Sequence, residues 1–524
     1  MGQTYDAIII GAGMGGLMCG NFLARKGWNV IILEHNHQPG GLMTGIKRKG
    51  FYFDTGDQSM EDSGIIFPLL KLLDLYDENE WDNCTVRYII KDRLDYVLDN
   101  YENMAEKFCE AFPKDKKGIT NHFKKISDFS DLLNEIRLKA LMPNTSEGIK
   151  RIVNFIRFMA LNIKNFKKAK ELFAGKFDDM IKKDISDPEA VEFLVSMGYP
   201  EQSMFMGVGA LNCHVNDYWY PKNGIQGIIN KLADNFKALG GEIKYKTLVD
   251  EILLDGKRVK GVKTNNGDEF TSKKVVSCGD MVRLFTEMLP QNIAKPEYIK
   301  KITEAPVTEP FASVYIGLDI PQEDLTKILK AHHTFYFTQL HRNDISKVDD
   351  PDLHSRGWIE INAPGVSCPE LMPEGKSAIT VQILTNYKWM DNWGTGGDDT
   401  ARPEKYRELK NKVADDVLDM VENVIPDIRE KIEFLDVSTP LSTIRFTLNK
   451  DGASCAFTVD PDKSPFAEGP YPFRTPVRGL YQAGHWTYWP GGVIGAAMSG
   501  KMVASKMISG RFSDLTDRIY QIFH

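Results

Sequence analysis

Four apolar residues in a row, Ala7-Ile8-Ile9-Ile10, run without a polar interruption into Gly11-Ala12-Gly13-Met14-Gly15-Gly16. An unbroken run of that length predicts a strand covered on both faces. Leu17, Leu23 and Ala24 mark a helix behind the glycines, Gly27 ends it, and Val30-Ile31-Ile32-Leu33 forms a second buried strand that delivers Glu34. Further along, Ile225, Ile228, Ile229, Leu232, Phe236 and Leu239 recur at helical spacing and predict one buried helix face. Gly240-Gly241 stops that helix. Ile243 to Ile252 then reads as a strand, followed after the Asp255-Gly256 turn by strands at Val259 to Val262 and Val275 to Cys278. Later strands are predicted at Phe311 to Leu318, Phe335 to Phe337, Trp358 to Ile361 and Ile379 to Leu384, with a helix from Glu404 to Val424 closed by Pro426. Leu480 and Tyr481 end a last strand, Pro490-Gly491-Gly492 turns, and Val493 to Ser509 is a helix rich in small residues.

The first unit has the chemistry of a dinucleotide site. Gly11, Gly13 and Gly16 match G-x-G-x-x-G, in which the glycines allow a tight turn, close approach to a pyrophosphate and close packing of helix on strand. Met14 and Gly15 lie in the same turn, at the positive end of the helix. Glu34 stands 23 positions after Gly11, where its carboxylate accepts from both ribose hydroxyls and repels a 2′-phosphate. Six residues later Gly40-Gly41 is followed by Leu42-Met43-Thr44, and Phe53-Asp54-Thr55-Gly56 forms another turn. A long glycine-bearing segment here suits an extended FAD better than NAD. Gly41, Leu42, Thr44 and Gly56 join the candidate contacts.

At 524 residues the chain is long enough for several domains. The fold class expected is α/β, with a Rossmann-type FAD-binding domain from 1–85, 216–305 and 436–524. A helical insert over 86–215 and a mixed-sheet substrate domain over 306–435 complete it. The net charge of −7 excludes general nucleic-acid binding, for lack of a positive field. Seven scattered cysteines without a C-x-x-C pair suggest neither a zinc site nor a disulfide framework. No metal site is expected: His332-His333 is a tempting pair, but neighbours on a strand point to opposite faces. Gly207-Val208-Gly209 lacks a third glycine and Gly394-Thr395-Gly396-Gly397 follows no strand, which argues against a second nucleotide fold. The electron partner expected is therefore a quinone, oxygen or a redox protein.

The N-terminus lacks the features of a signal peptide, and no run is long enough to span a bilayer. The expected place is the cytoplasm, peripheral at most on the inner face of a membrane. One stretch bears on that. Between Lys150 and Lys183 the basic residues Lys150, Arg151, Arg157, Lys164, Lys167, Lys168, Lys170, Lys176, Lys182 and Lys183 alternate with an apolar stripe of Ile149, Ile152, Val153, Ile156, Ala160, Ile163 and Phe166. A basic amphipathic helix of this kind fits a membrane contact through 149–183, and equally a solvated cap over a substrate cavity.

Three blocks resemble the phytoene desaturase, carotenoid cis–trans isomerase and retinol saturase group of the amine-oxidase-like flavoproteins. They are Gly11 to Gly56; Tyr220-Pro221-Lys222-Asn223-Gly224-Ile225-Gln226-Gly227 through Gly240-Gly241-Glu242-Ile243; and Gly479-Leu480-Tyr481-Gln482-Ala483-Gly484 with Pro490-Gly491-Gly492-Val493. Thr439-Pro440-Leu441 and Gly452-Ala453 also look like the family. The resemblance implies FAD, a backbone contact near Val249 to its adenine end, and contacts from Gly484, His485, Gly492 and Val493 toward its flavin end. It also implies redox chemistry at carbon–carbon single or double bonds of a hydrophobic polyene, isoprenoid or fatty-acyl molecule: desaturation, saturation or isomerisation. One departure stands out. His485 occupies the place where many relatives carry Asp, and Trp486, Thr487, Tyr488 and Trp489 follow. The aromatic cluster is expected to wall the substrate cavity, with His485 and Tyr488 as weak catalytic candidates. A flavin-dependent amine oxidase with those aromatics as its cage is the alternative enzyme, and a flavin-containing lipid-binding protein the non-enzymatic one.

Overall fold

The computed structural model describes residues 4–139, 141–142, 144–199, 201–465, 473, 475–488 and 491–509. A five-stranded, wholly parallel sheet runs in the order Leu480–Gln482, Val275–Ser277, Ala7–Ile10, Val30–Leu33, Glu242–Lys244. Ile8, Ile9, Ile31 and Ile32 are completely buried in it, each contributing about 1.5–3 kcal/mol through loss of apolar surface. Burial on both faces is why these strands read as continuous apolar runs. All five carboxyl ends lie along one edge, which places Gly11, Glu34, Cys278 and Ala483 together. Helices Met14–Ala24, Gly224–Ala238 and Gly492–Ser509 cover one face.

Small residues set how closely these parts approach. A Cβ at Gly16 would collide with the Gly11 carbonyl oxygen, so only glycine lets the helix start where it does. A Cβ at Gly15 would lie 2.8 Å from Gly484 Cα, so the two glycine turns touch by backbone. On the Gly224–Ala238 helix, Ile225, Ile228, Ile229, Leu232 and Phe236 are buried as the periodicity predicts, whereas Leu239 is 38% exposed at the helix end.

The second sheet has seven strands in the order Ile432–Ser438, Phe311–Leu318, Ser377–Leu384, Trp358–Asn362, His333–Phe337, Val86–Ile90, Leu94–Val97. It is mixed: Val86–Ile90 runs parallel to His333–Phe337 and the other pairs are antiparallel. Its strands alternate. Val314, Ile316, Ile359, Ile361, Ile379 and Val381 pack on Val413, Val417 and Val421 of the helix Glu404–Val421. The opposite face holds a cross-strand row, Ser438–Ser313–Gln382–Glu360–Phe335–Tyr88, fixed by register.

Sheet membership corrects the expected boundaries. Residues 86–97, assigned to a helical insert, form two strands of the second sheet, because their alternation (buried Val86, Tyr88, Ile90) finds an open edge at His333–Phe337. Residues 436–438, assigned to the nucleotide domain, finish the Ile432–Ser438 strand of the same sheet. The predicted strand 243–252 is two strands: Glu242–Lys244 ends in the parallel sheet, Lys246 turns with φ +54°, and Val249–Asp255 begins a three-stranded antiparallel meander. The basic segment is not one helix but three, Gly148–Lys164, Phe166–Ala174 and Phe177–Asp184.

Candidate functional site: a glycine-walled groove opening onto a polar chamber

A cavity of about 420 Å³ lies between the carboxyl edge of the parallel sheet and the polar face of the second sheet. Gly11, Gly13, Met14, Gly15, Glu34, Gly41, Leu42, Gly56, Val249, Gly484, His485, Gly492 and Val493 all line it. Gly16 and Thr44 do not. Gly16 is consumed by helix-on-strand packing, and the Thr44 hydroxyl donates to the Gly41 carbonyl at 2.7 Å, shaping the loop from behind.

Glu34 sits at the tip of its strand, 4% exposed. Its two carboxylate oxygens accept from Ala12 N–H at 2.7 Å and Asn36 N–H at 2.8 Å. Burial alone would raise the carboxyl, but hydrogen bonds from His35, Ala12 and Asn36 outweigh it and hold Glu34 below the usual carboxylate range. It is a fixed anion facing the groove. The helix Met14–Ala24 is capped by Gly13 with no side-chain acceptor and has no acid in its first turn. Its leading N–H groups therefore remain available to an anion. The helix Gly492–Ser509 likewise has no acid in its first turn, and Gly492 turns into it at φ +66° with open space beside its Cα. A buried carboxylate, a glycine cradle with free N–H groups and a second helix start fit an FAD: Glu34 would hold the ribose, Gly11–Gly15 the pyrophosphate, and Gly484, Gly492 and Val493 the flavin end.

Trp486 and Tyr488 of the aromatic cluster after Gly484 do not wall the cavity as expected. Thr487 folds back on the Gly484 carbonyl through both its N–H and its hydroxyl. That turn buries Trp486 against Phe457, edge to face at 5.0 Å, with its indole N–H donating to Asn449 Oδ1 at 3.1 Å. Tyr488 is buried in the core beneath the helices and does not line the cavity; Trp489 and Pro490 lie outside the described residues. Among the described residues of the group, only His485 lines the cavity. Burial pushes it down to about 4, so it is neutral near pH 7.

The chamber beyond the groove is built from side chains that sequence reasoning missed. Asp57, Gln58, Ser59, Glu61, Tyr199, His214, Tyr218, His333, Phe335 and Glu360 line it. His333 was noted only as half of a metal pair. Its Nδ1 is paired with the Tyr218 hydroxyl, its Nε2 lies 3.6 Å from Glu360, and its ring stacks on Phe335 at 4.7 Å. His332 turns the other way, to Ser367 Oγ at 3.0 Å and Asn362 Nδ2 at 3.0 Å. Among the described residues no group of His, Cys, Asp and Glu is arranged to hold a metal ion.

Electrostatics set this chamber apart. Burial and the nearby Asp217 carboxylate push Glu61 up to about 7, against hydrogen bonds from Ser59 Oγ at 3.1 Å and from its own backbone. Burial, then Glu61 and Asp54, push Asp57 well above the carboxylate range, and one of its oxygens has no hydrogen-bond partner. Burial pushes His214 down to about 3, while its Nδ1 pairs with the Tyr88 hydroxyl at 2.7 Å. Below the floor, Asp54 receives the hydroxyls of Tyr220 at 2.6 Å and Tyr52 at 2.7 Å, and burial still holds it up at about 6.

The groove and the sheet define a dinucleotide-binding flavoprotein. The chain matches the flavin containing amine oxidoreductases over residues 14–508 and belongs to that family; it is an FAD-dependent oxidoreductase. It is 28% identical to prolycopene isomerase 2, chloroplastic, of an Oncidium hybrid cultivar, over 96% of this chain and 84% of that protein. It is 23% identical to the all-trans-retinol 13,14-reductase of Danio rerio (99% and 89% covered) and 24% to the lycopene-forming phytoene desaturase of Pseudescherichia vulneris (96% and 98% covered). Among solved structures, an oxidoreductase from Methanosarcina mazei shares the fold with a TM-score of 0.60 at 17% identity, covering 95% of this chain and 100% of its own. A putrescine oxidase bound to putrescine shares it with a TM-score of 0.58 at 13% identity, covering 97% and 99%.

Proposed function

We propose that the protein carries out redox chemistry at carbon–carbon single or double bonds of a hydrophobic polyene, isoprenoid or fatty-acyl substrate, by desaturation, saturation or isomerisation. The observation that carries the reading is similarity along essentially the whole chain to enzymes named for an isomerisation, a reduction and a desaturation of polyenes. No lysine lines the cavity among the described residues, which weighs against an amine oxidase that relies on one beside the flavin. Bound FAD supplies a two-electron hydride donor and acceptor at N5.

The chain's own residues divide the remaining work. The groove fixes the cofactor through Glu34 and the glycine turns. Phe311, Phe335 and Tyr199 give the carbon chain an apolar surface and keep water from it. Adding or removing two hydrogens also requires a proton to move with the hydride. Glu61, whose carboxyl titrates near 7 and lines the chamber, exchanges that proton at its carboxyl oxygens.

One parallel sheet is found among the described residues, which supports a quinone, oxygen or a redox protein as electron partner. No helix of the described residues is long and apolar enough to cross a membrane. A lipid substrate partitions into bilayers, so the reading includes a peripheral place on the cytoplasmic, inner face of a membrane.

The test is anaerobic mixing of the yellow protein with candidate lipids while the visible flavin band is followed. Bleaching by a lipid is expected for a desaturase, and reoxidation of pre-reduced flavin for a saturase. For an isomerase the polyene's own spectrum shifts with no net flavin change. Silence toward every polyene together with bleaching by an amine would overturn the reading.

A further inference from the structure

Among the described residues, one apolar helix face is left uncovered. The helix Gly148–Lys164 buries Phe158 and Leu161, which pack with Leu132, Ile136 and Leu141 beside the helix Lys116–Leu138. That inner face satisfies its packing. The outer face is apolar as well. Ile149 is 80% exposed, Ile152 62%, Ile156 61% and Ile163 68%, and Phe166 at the start of the next helix is 66% exposed. These spacings of three, four and seven place the isoleucines on one stripe. Large aliphatic side chains scattered singly on a surface need no explanation, but a contiguous stripe does.

Charge identifies what covers the stripe. Between residues 148 and 170 stand Lys150, Arg151, Arg157, Lys164, Lys167, Lys168 and Lys170, and there is no Asp or Glu. The whole chain carries −7, so this patch opposes the charge of the molecule that bears it. An apolar stripe bordered by cations complements an anionic bilayer surface: the isoleucines enter the acyl boundary while the long basic side chains reach headgroup phosphates. A second copy of this strongly basic face would be repelled by it.

We propose that the outer face of Gly148–Lys164, continued by Phe166, is the surface by which the protein lies on an anionic lipid bilayer. The helix, about 25 Å long, lies in the plane of the interface. Its N-terminal end is tied to the cofactor domain, where Glu147 pairs with Lys501 of the helix Gly492–Ser509. The docked face is thereby fastened to the helix whose opposite end borders the groove. This deepens the peripheral part of the functional reading but stands on the exposed face rather than on any substrate. Failure here and failure of the redox reading are therefore separable, since vesicle binding needs no turnover.

The test is flotation of the FAD-loaded protein with vesicles of phosphatidylcholine alone or with roughly one part in three phosphatidylglycerol. The protein is expected to float with the anionic vesicles, about tenfold more weakly with neutral ones, and less as salt is raised. Ile152→Glu combined with Ile156→Glu is expected to abolish flotation while leaving flavin content, helicity and activity toward detergent-dispersed substrate unchanged. Ile152→Leu with Ile156→Leu is expected to float like the wild type. A wild type that stays unbound with both vesicles would overturn the proposal, as would equal flotation of the glutamate variant. Self-association without vesicles, lost in the glutamate variant, would assign the face to a second copy and overturn it too.

Discussion

The two ends of the cavity are made in different ways. The groove end is a backbone device. Gly11, Gly13, Gly15, Gly41, Gly484 and Gly492 offer N–H groups and close approach, and the Glu34 carboxylate is held there by two backbone N–H groups. The chamber end is a side-chain device. Asp57 and Glu61 come from one loop, His214 and Tyr218 from the end of the helix Met204–Asn216 and the chain after it, and His333 and Glu360 from paired strands, so they meet only in the folded chain. The groove is tight where Gly15 meets Gly484 by backbone, yet it has little to titrate. The chamber has room yet is full of groups whose ionisation burial has moved. Changes in the groove are therefore expected to remove the cofactor, and changes in the chamber to alter the reaction while the protein stays yellow.

The largest effect expected is at Gly16. Gly16→Ala drives a methyl into the Gly11 carbonyl, so strand and helix must separate. Overpacking of this kind costs about 1–3 kcal/mol, and the variant should purify with little flavin and a lowered melting temperature; full flavin occupancy would show that the helix starts elsewhere. Next comes Glu34→Gln, which removes the anion but keeps the shape. Hydrogen bonds to a charged group are worth about 1.5–3 kcal/mol, so FAD affinity should fall roughly tenfold to a hundredfold in titrations of apoprotein, with the chamber's pH response untouched.

Glu61→Gln sharpens the contrast from the other side. The Glu61 carboxyl ionises near 7 in the folded protein against a reference of 4.5. The folded state therefore holds this proton more tightly than the unfolded chain. Its stability falls as pH rises from about 4.5 through 7. The Gln variant lacks that loss, so it should match the wild type near pH 4 and exceed it by about 1–3 kcal/mol at pH 8 in denaturant melts. The smallest effect is expected at His485. Neutral already, since its ionisation lies near 4, it should tolerate Gln with turnover changed by less than about tenfold and no shift in the pH profile near neutrality. A lost alkaline or acidic limb in that variant would make His485 a proton carrier after all.

How much was readable in the sequence follows the same division. Glycines and a carboxylate at fixed spacing announce a backbone device, because each step of the turn is local: Gly11 to Gly16 is one turn, and Glu34 ends the adjoining strand. The chamber is assembled over long separations, Glu61 with His214 and Glu360, and no short pattern carries such contacts. Part of the signal was present. Phe311, Ser313, Gln382 and Glu360 alternate with buried aliphatic residues, His333 and Phe335 with buried Thr334 and Tyr336, and period-two alternation marks a two-faced sheet. The adjacent pair His332-His333 does point to opposite faces, and the half that lines the chamber is His333, paired with Tyr218. Trp486 misled for a local reason: the Thr487 turn swings it into the core rather than toward the ring.

The measurement that tests the two-region division most directly is anaerobic rapid mixing of a polyene with the wild type and with Glu61→Gln, each at full flavin content. Bleaching or reoxidation in the wild type is expected, slowed by about a hundredfold or more in the variant, with FAD bound equally tightly in both. Equal rates in the two proteins, or a variant that loses its flavin, would contradict the assignment of cofactor holding to the groove and proton exchange to the chamber.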